Sequence, residues 1–150
     1  MVRQLYENEK IPYHLLLLAD ETIEAINKYV HRSDIYVYER GHQIVGVYVQ
    51  QPISNDTVEI KNIAVDTQWQ GQGIGTFLLR EVTAEARAKG FKKIVVGTGD
   101  AAIKQLYWYQ KEGFEIFEIL ERFFLDNYPD PIYENGIQLK HMLRLKKELE

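Results

Sequence analysis

The stretch Gln70-Gly71-Gln72-Gly73-Ile74-Gly75-Thr76 decides the reading of this chain. Before it, Thr57 to Val65 is rich in β-branched residues and ends at Asp66, which reads as a strand. After it, Ile74, Phe77, Leu78, Val82 and Ala86 recur on one helical face, with Arg80, Thr83 and Arg87 turned away and Gly90 placed to cap the end. Small residues at such a strand-to-helix junction let the backbone approach a ligand closely. The first amides of a helix have no internal partner and carry the positive end of its dipole, so an anion such as a pyrophosphate fits there. The same glycines would also suit a plain tight turn into a helix, and composition leaves both readings open.

Spacing excludes two familiar phosphate loops. A Rossmann fingerprint begun at Gly71 needs glycine at position 76, and one begun at Gly73 needs it at 78, where Thr76 and Leu78 stand. A P-loop needs Lys followed by Ser or Thr after its last glycine, and no such pair follows Gly75.

Outward from the loop, Pro12 to His31 carries Leu15, Leu18, Ile23, Ile26 and Val30 at helical spacing, broken near Asp20 and Thr22, which predicts two short helices. Ile35 to Tyr38 and Ile44 to Val49 predict a hairpin turning at Arg40-Gly41-His42. On the other side, Lys92 to Val96 reads as a short buried strand and Gly97-Thr98-Gly99-Asp100 as a loop into a helix over Ala101 to Lys111, closed by Gly113. Phe114 to Leu120 and Leu139 to Leu145 predict two last strands, separated by an irregular segment with Pro129, Pro131 and Asn135-Gly136.

A length of 150 residues suits one domain with a core that needs no staples, and 45% hydrophobic with 27% charged residues is a globular composition. The formal charge of −4 lacks the basic footprint of phosphate-backbone binding, so nucleic acid is not an expected partner. The chain has no cysteine, which excludes disulfides and a thiolate nucleophile. Leu15 to Ala19 is too short for a signal-peptide core, and no apolar run approaches membrane-spanning length, so a cytoplasmic protein without a membrane partner is the expectation. His14, His31, His42 and His141 show no metal-ligand spacing, and no Gly-x-Ser-x-Gly elbow is present; neither a metal nor a covalent acyl-enzyme is expected.

The segment does match Gln/Arg-x-x-Gly-x-Gly/Ala, with Gln70, Gly73 and Gly75 on the defining positions, and here the chain resembles the GNAT superfamily of N-acetyltransferases. Ile63-Ala64-Val65 stands where that family has a hydrophobic strand before the loop, and Trp69 takes the bulky position before the glutamine. Trp108-Tyr109-Gln110-Lys111-Glu112-Gly113-Phe114 is similar to its second signature, a helical tyrosine four residues before Gly-Phe. The resemblance implies an α/β (α+β) fold: a mixed, mostly antiparallel central sheet whose splayed central strands are flanked by helices, in one domain over residues 1–150.

It also implies a chemistry, transfer of an acetyl group from acetyl-CoA to the amine of a small molecule or protein. The pantetheine arm would enter between the splayed strands against Ile63, Ala64 and Val65, with the amides from Gly71 through Gln72, Gly73, Ile74 and Gly75 to Thr76 on the pyrophosphate, next to Gln70. An alkylamine with a pKa near ~10.4 must lose a proton before it attacks. Glu59, four residues before Ile63, resembles the catalytic glutamate of histone-type members, and strict alternation would put it on the face of Ile63 and Val65; water or another residue is the other route. A backbone amide near Val65 would serve the oxyanion, and Tyr109 would protonate the departing thiolate, with Tyr107 a near alternative by position. Phe123, Phe124, Asp126, Tyr128, Asp130, Tyr133 and Glu134 form an aromatic and acidic set suited to a cationic acceptor, or to a loop core or homodimer contact. An acyl-CoA-binding module without turnover is the competing reading.

Overall fold

The computed structural model describes residues 1–150. Elements follow in the order β1 (Val2–Gln4), α1 (Tyr13–Leu16), α2 (Ile23–Asn27), β2 (Asp34–Arg40), β3 (Gln43–Pro52), β4 (Thr57–Val65), α3 (Ile74–Ala88), β5 (Lys93–Gly99), α4 (Ile103–Lys111), β6 (Glu115–Leu120), α5 (Phe123–Asn127), β7 (Tyr133–Glu134), β8 (Ile137–Gln138) and β9 (Met142–Glu148). Seven strands form one sheet in the order β1-β2-β3-β4-β5-β9-β6, antiparallel except for β4 beside β5. No helix is long and apolar enough to cross a membrane.

Each face of the sheet has its own core. On one, α3 buries Ile74, Leu78, Leu79, Val82 and Ala86 against Tyr48, Val58, Ile60, Ile94 and Leu145. Each fully buried leucine there contributes roughly 1.5–3 kcal/mol, enough to fix the helix against the strands. On the other, α1 and α2 bury Leu15, Leu16 and Ile26 against Val37, Val47, Val49 and Ala64. Thr22 caps α2 through a side-chain bond to the Ala25 amide.

The alternation of α3 holds with two exceptions. Thr83 lies buried because its hydroxyl donates to the Leu79 carbonyl, and Phe77 is half exposed beside Tyr38. Gly97-Thr98-Gly99 is strand rather than loop: β9 supplies it with partners, Gly97 opposite Arg144 through Gly99 opposite Met142. The last strand itself starts three residues later than Leu139, which instead packs with Ala101 and Ile132 in a small separate cluster. In the segment expected to be irregular, Asn135 and Gly136, both at positive φ, turn the short hairpin β7-β8, and α5 precedes it.

Two details of β4 position everything that follows. Its pairing with β5 runs only from Thr57 opposite Lys93 to Ile60 opposite Val96, so the strands fork beyond that point and leave the Lys61 to Val65 edge unpaired. Its pairing with β3 skips a residue, Val49 facing Asn62 and Gln50 facing Ile60, which makes Lys61 a β-bulge.

Candidate active site

The bulge reverses the alternation of β4 at the fork. Val58 and Ile60 face α3, and so do Ile63 and Val65; Asn62 and Ala64 face α1 and α2. Glu59 therefore lies on the opposite face from Ile63 and Val65, a correction to strict alternation, because Lys61 adds one residue to the count. Its carboxylate pairs with Lys61 Nζ at 2.9 Å and more loosely with Arg144 at 3.8 Å. Glu59 is not part of the cleft wall described next.

A cleft of about 520 Å³ opens from the fork. Its floor is β4 from Ile60 to Val65 and β5 from Val96 to Thr98; Gln70, Gly71 and Gly73 to Thr76, α4 and the α1–α2 loop form its walls. Of the loop residues, Gly71 and Gly73 take φ of 79° and 83°, conformations that side chains with a Cβ rarely adopt, and a Cβ on either would meet only open space. These glycines thus serve backbone shape rather than packing. The first helical bond of α3 runs from Phe77 N–H to Gly73 O, so the amides of Ile74, Gly75 and Thr76 precede the ladder and remain unpaired within it. With no carboxylate in the first turn of α3, that positive end is not neutralised locally.

Gln70 has a different task from its neighbours. Its Nε2 donates to Val65 O at 2.9 Å and ties the loop to the end of β4. Because Asp66 N–H donates to Val45 O toward β3, the alternation of antiparallel strands turns the polar main chain of Val65 and Ile63 toward the fork. The Val65 carbonyl is spent on Gln70, and its N–H is left. Gln72 is exposed and does not reach the wall.

Tyr109 is buried on α4, lines the cleft, and packs edge-on to Phe114 at 5.7 Å. Burial alone raises its phenol pKa well above the ordinary value, so it holds its proton throughout the physiological range. Tyr107 lies on the solvent side, 66% exposed, beneath Lys111. The two motifs meet directly, since Trp108 Nε1 donates to Thr76 Oγ1 at 3.1 Å and clamps α4 to the start of α3. The tryptophan belongs to the second motif, but only the structure gives it this role.

The far end of the cleft is built from other residues. Asp20, Glu21, Lys61, Asn62 and Glu134 line it. Tyr128 Oη donates to Asp20 Oδ1 at 2.6 Å and Tyr29 Oη to Asp20 Oδ2 at 3.1 Å. Of the acidic residues expected to face an acceptor, Glu134 lines the cleft, its carboxyl pKa raised by burial and by Glu21. Asp126 does not; it pairs with Arg122 at 3.4 Å on the surface, one turn along α5. Asp130 lines a separate hollow of about 150 Å³ together with Pro129 and Pro131.

The comparisons agree with this geometry. A family model described as an acetyltransferase (GNAT) domain matches residues 31–116. An uncharacterized N-acetyltransferase of Bacillus subtilis strain 168 is 42% identical over 137 residues, spanning 91% of this chain and 88% of that protein. A GNAT family acetyltransferase of Elizabethkingia anophelis, solved with acetyl-CoA bound, superposes with a TM-score of 0.96 at 46% identity, covering 99% of this chain and 97% of that one. A Bacillus subtilis acetyltransferase solved in complex with CoA gives 0.90 at 39% identity, covering 99% and 98%.

Proposed function

The chain belongs to the GNAT acetyltransferases and is an acyltransferase, and from that premise we propose that it moves the acetyl group of acetyl-CoA to a primary amine by direct attack in a ternary complex. One observation supports the reading above others: the unpaired amides that start α3 share a cleft with the free edge of β4 beyond the fork and with the buried Tyr109. Acetyl-CoA supplies the activated thioester carbonyl.

The residues present fit such a donor. Amides from Gly71 to Thr76, with Gln72 and Ile74 contributing main chain only, suit a diphosphate. Ile63 and Val65, on either side of Ala64, offer the free edge along which an extended chain with amide groups adds as a strand would. The Val65 N–H is the donor we assign to charge developing on the carbonyl oxygen. Tyr109, still protonated at neutral pH, gives its proton to the leaving sulfur. The attacking amine must arrive neutral, and Glu59 is our proposal for the group that finally takes its proton; lying outside the cleft wall, it would do so through water.

Calorimetry with acetyl-CoA, then free-thiol release with a panel of amines, tests the whole. Intersecting initial-velocity lines are expected, and parallel lines would discard direct attack. Binding without thiol release from any amine would make the chain a binding module. An unchanged pH–rate profile in Glu59→Gln would remove Glu59 from the reaction.

A further inference from the structure

Asn62 is 4% exposed, yet it lines the cleft. Its Nδ2 donates to Leu16 O at 3.0 Å and to Tyr29 Oη at 3.1 Å, which spends both amide hydrogens and fixes which end of the side chain is oxygen. Asn62 Oδ1 is then the one buried side-chain polar atom of the cleft wall without a partner. A buried carbonyl oxygen left unpaired destabilises the fold unless a ligand supplies a donor.

The Tyr29 hydroxyl that accepts from Asn62 donates onward to Asp20, whose other oxygen is held by Tyr128 and by the Glu21 amide at 2.8 Å. Both carboxylate oxygens are therefore fixed, with lone pairs of Oδ2 to spare. A free acceptor and an immobilised anion, joined through one phenol, stand at the same end of the cleft. Glu21 and Glu134 line the same cleft, and burial, then the charge of Glu21, raise the Glu134 carboxyl pKa. Of the lysines in the wall, Lys61 is paired with Glu59, and Lys104 stands in the first turn of α4.

We propose that Asn62 Oδ1 and Asp20 seat the reacting amine, that Glu21 and Glu134 hold a second positive group, and that the acceptor is an aliphatic diamine that reacts at one neutral amine while the other stays cationic. This rests on the reading of the cleft as a transferase site. A neutral tail would leave the two outer carboxylates facing each other, and an anionic tail would add a third like charge.

Three acceptors of one length separate the charges: 1,4-diaminobutane, n-butylamine and 4-aminobutanoate, assayed by thiol release. The expected order of kcat/KM is diamine, then monoamine, then amino acid, with a gap of tenfold or more between first and last. In Glu134→Gln and Glu21→Gln the ratio of diamine to n-butylamine kcat/KM falls toward one. In Asn62→Ser and Asp20→Asn the KM of every acceptor rises at least fivefold while the acetyl-CoA dissociation constant stays within twofold; circular dichroism checks the fold of each. Equal rates for the three acceptors, a reversed order, or no reaction of any of them while another amine is acetylated would overturn the proposal and leave acetyl transfer standing. Failure of acetyl-CoA to bind would instead sink the parent reading.

Discussion

The two ends of the cleft are made by different means. The end at the glycine loop is mostly main chain: amides that precede a helical ladder, a strand edge left free by a fork, and one phenol on α4. The opposite end presents mostly side chains, and its central contact joins Asp20 to Tyr128, 108 positions apart. Main-chain recognition depends on shape, so it should fail through backbone strain and tolerate most side-chain changes. Side-chain recognition depends on charge and reach, so it should retune gradually.

The sharpest break between the ends should come from the phenol. Tyr109→Phe is expected to lower kcat about 100-fold, the scale of a lost general acid, with acetyl-CoA binding unaltered by calorimetry. Next comes the loop. In Gly73→Val a β-branched residue must adopt the φ of 83° at the start of α3, costing roughly 1–2 kcal/mol, and acetyl-CoA should bind about tenfold more weakly with acceptor KM unchanged. Tyr128→Phe probes the other end, since loss of a hydrogen bond to a fixed carboxylate should raise acceptor KM about fivefold and spare the donor. If Gly73→Val and Tyr128→Phe moved the same constant, the division between the two ends would be wrong.

The smallest effect concerns how the loop helix is tied to α4. Arg80 reaches Glu112 at 2.9 Å, and this hydrogen bond holds the Glu112 carboxyl below its ordinary pKa. A carboxylate whose folded pKa is depressed adds stability above its unfolded value and loses it as pH falls through the folded one. Thermal melts of Glu112→Gln should show a small deficit at neutral pH that disappears in acid below that depressed value. A deficit independent of pH would mean that packing, not charge, links the helices.

The same contrast explains what could be read in the letters. The glycine loop, the helix after it and the Tyr109 motif are contiguous, so local rules about φ, amides and helical period reached them. The acceptor end depends on contacts between distant segments; of the aromatic and acidic set, Glu134 lines the cleft and Tyr128 holds Asp20, whereas Asp126 and Asp130 lie outside it. Asn62 did carry a signal, a polar residue between Ile60 and Ala64 in an apolar strand, though its partners Leu16 and Tyr29 are set by tertiary packing. Glu59 was misplaced because a period of two does not survive an extra residue, and only the register against β3 reveals that residue. Gly97 to Gly99 looked like a loop because strand propensity is low in glycine; pairing with β9 overrides it.

Lys61 deserves a last consequence of its own, for it sets phase rather than chemistry. Deleting it would leave a regular strand with the same faces, whereas straightening the bulge with Lys61 kept in the ladder would exchange inside for outside along all that follows, turning Asn62 toward α3 and Ile63 toward α1 and α2. Descendants of this chain can therefore shed that one residue without turning the strand over, but cannot keep it and lose the bulge.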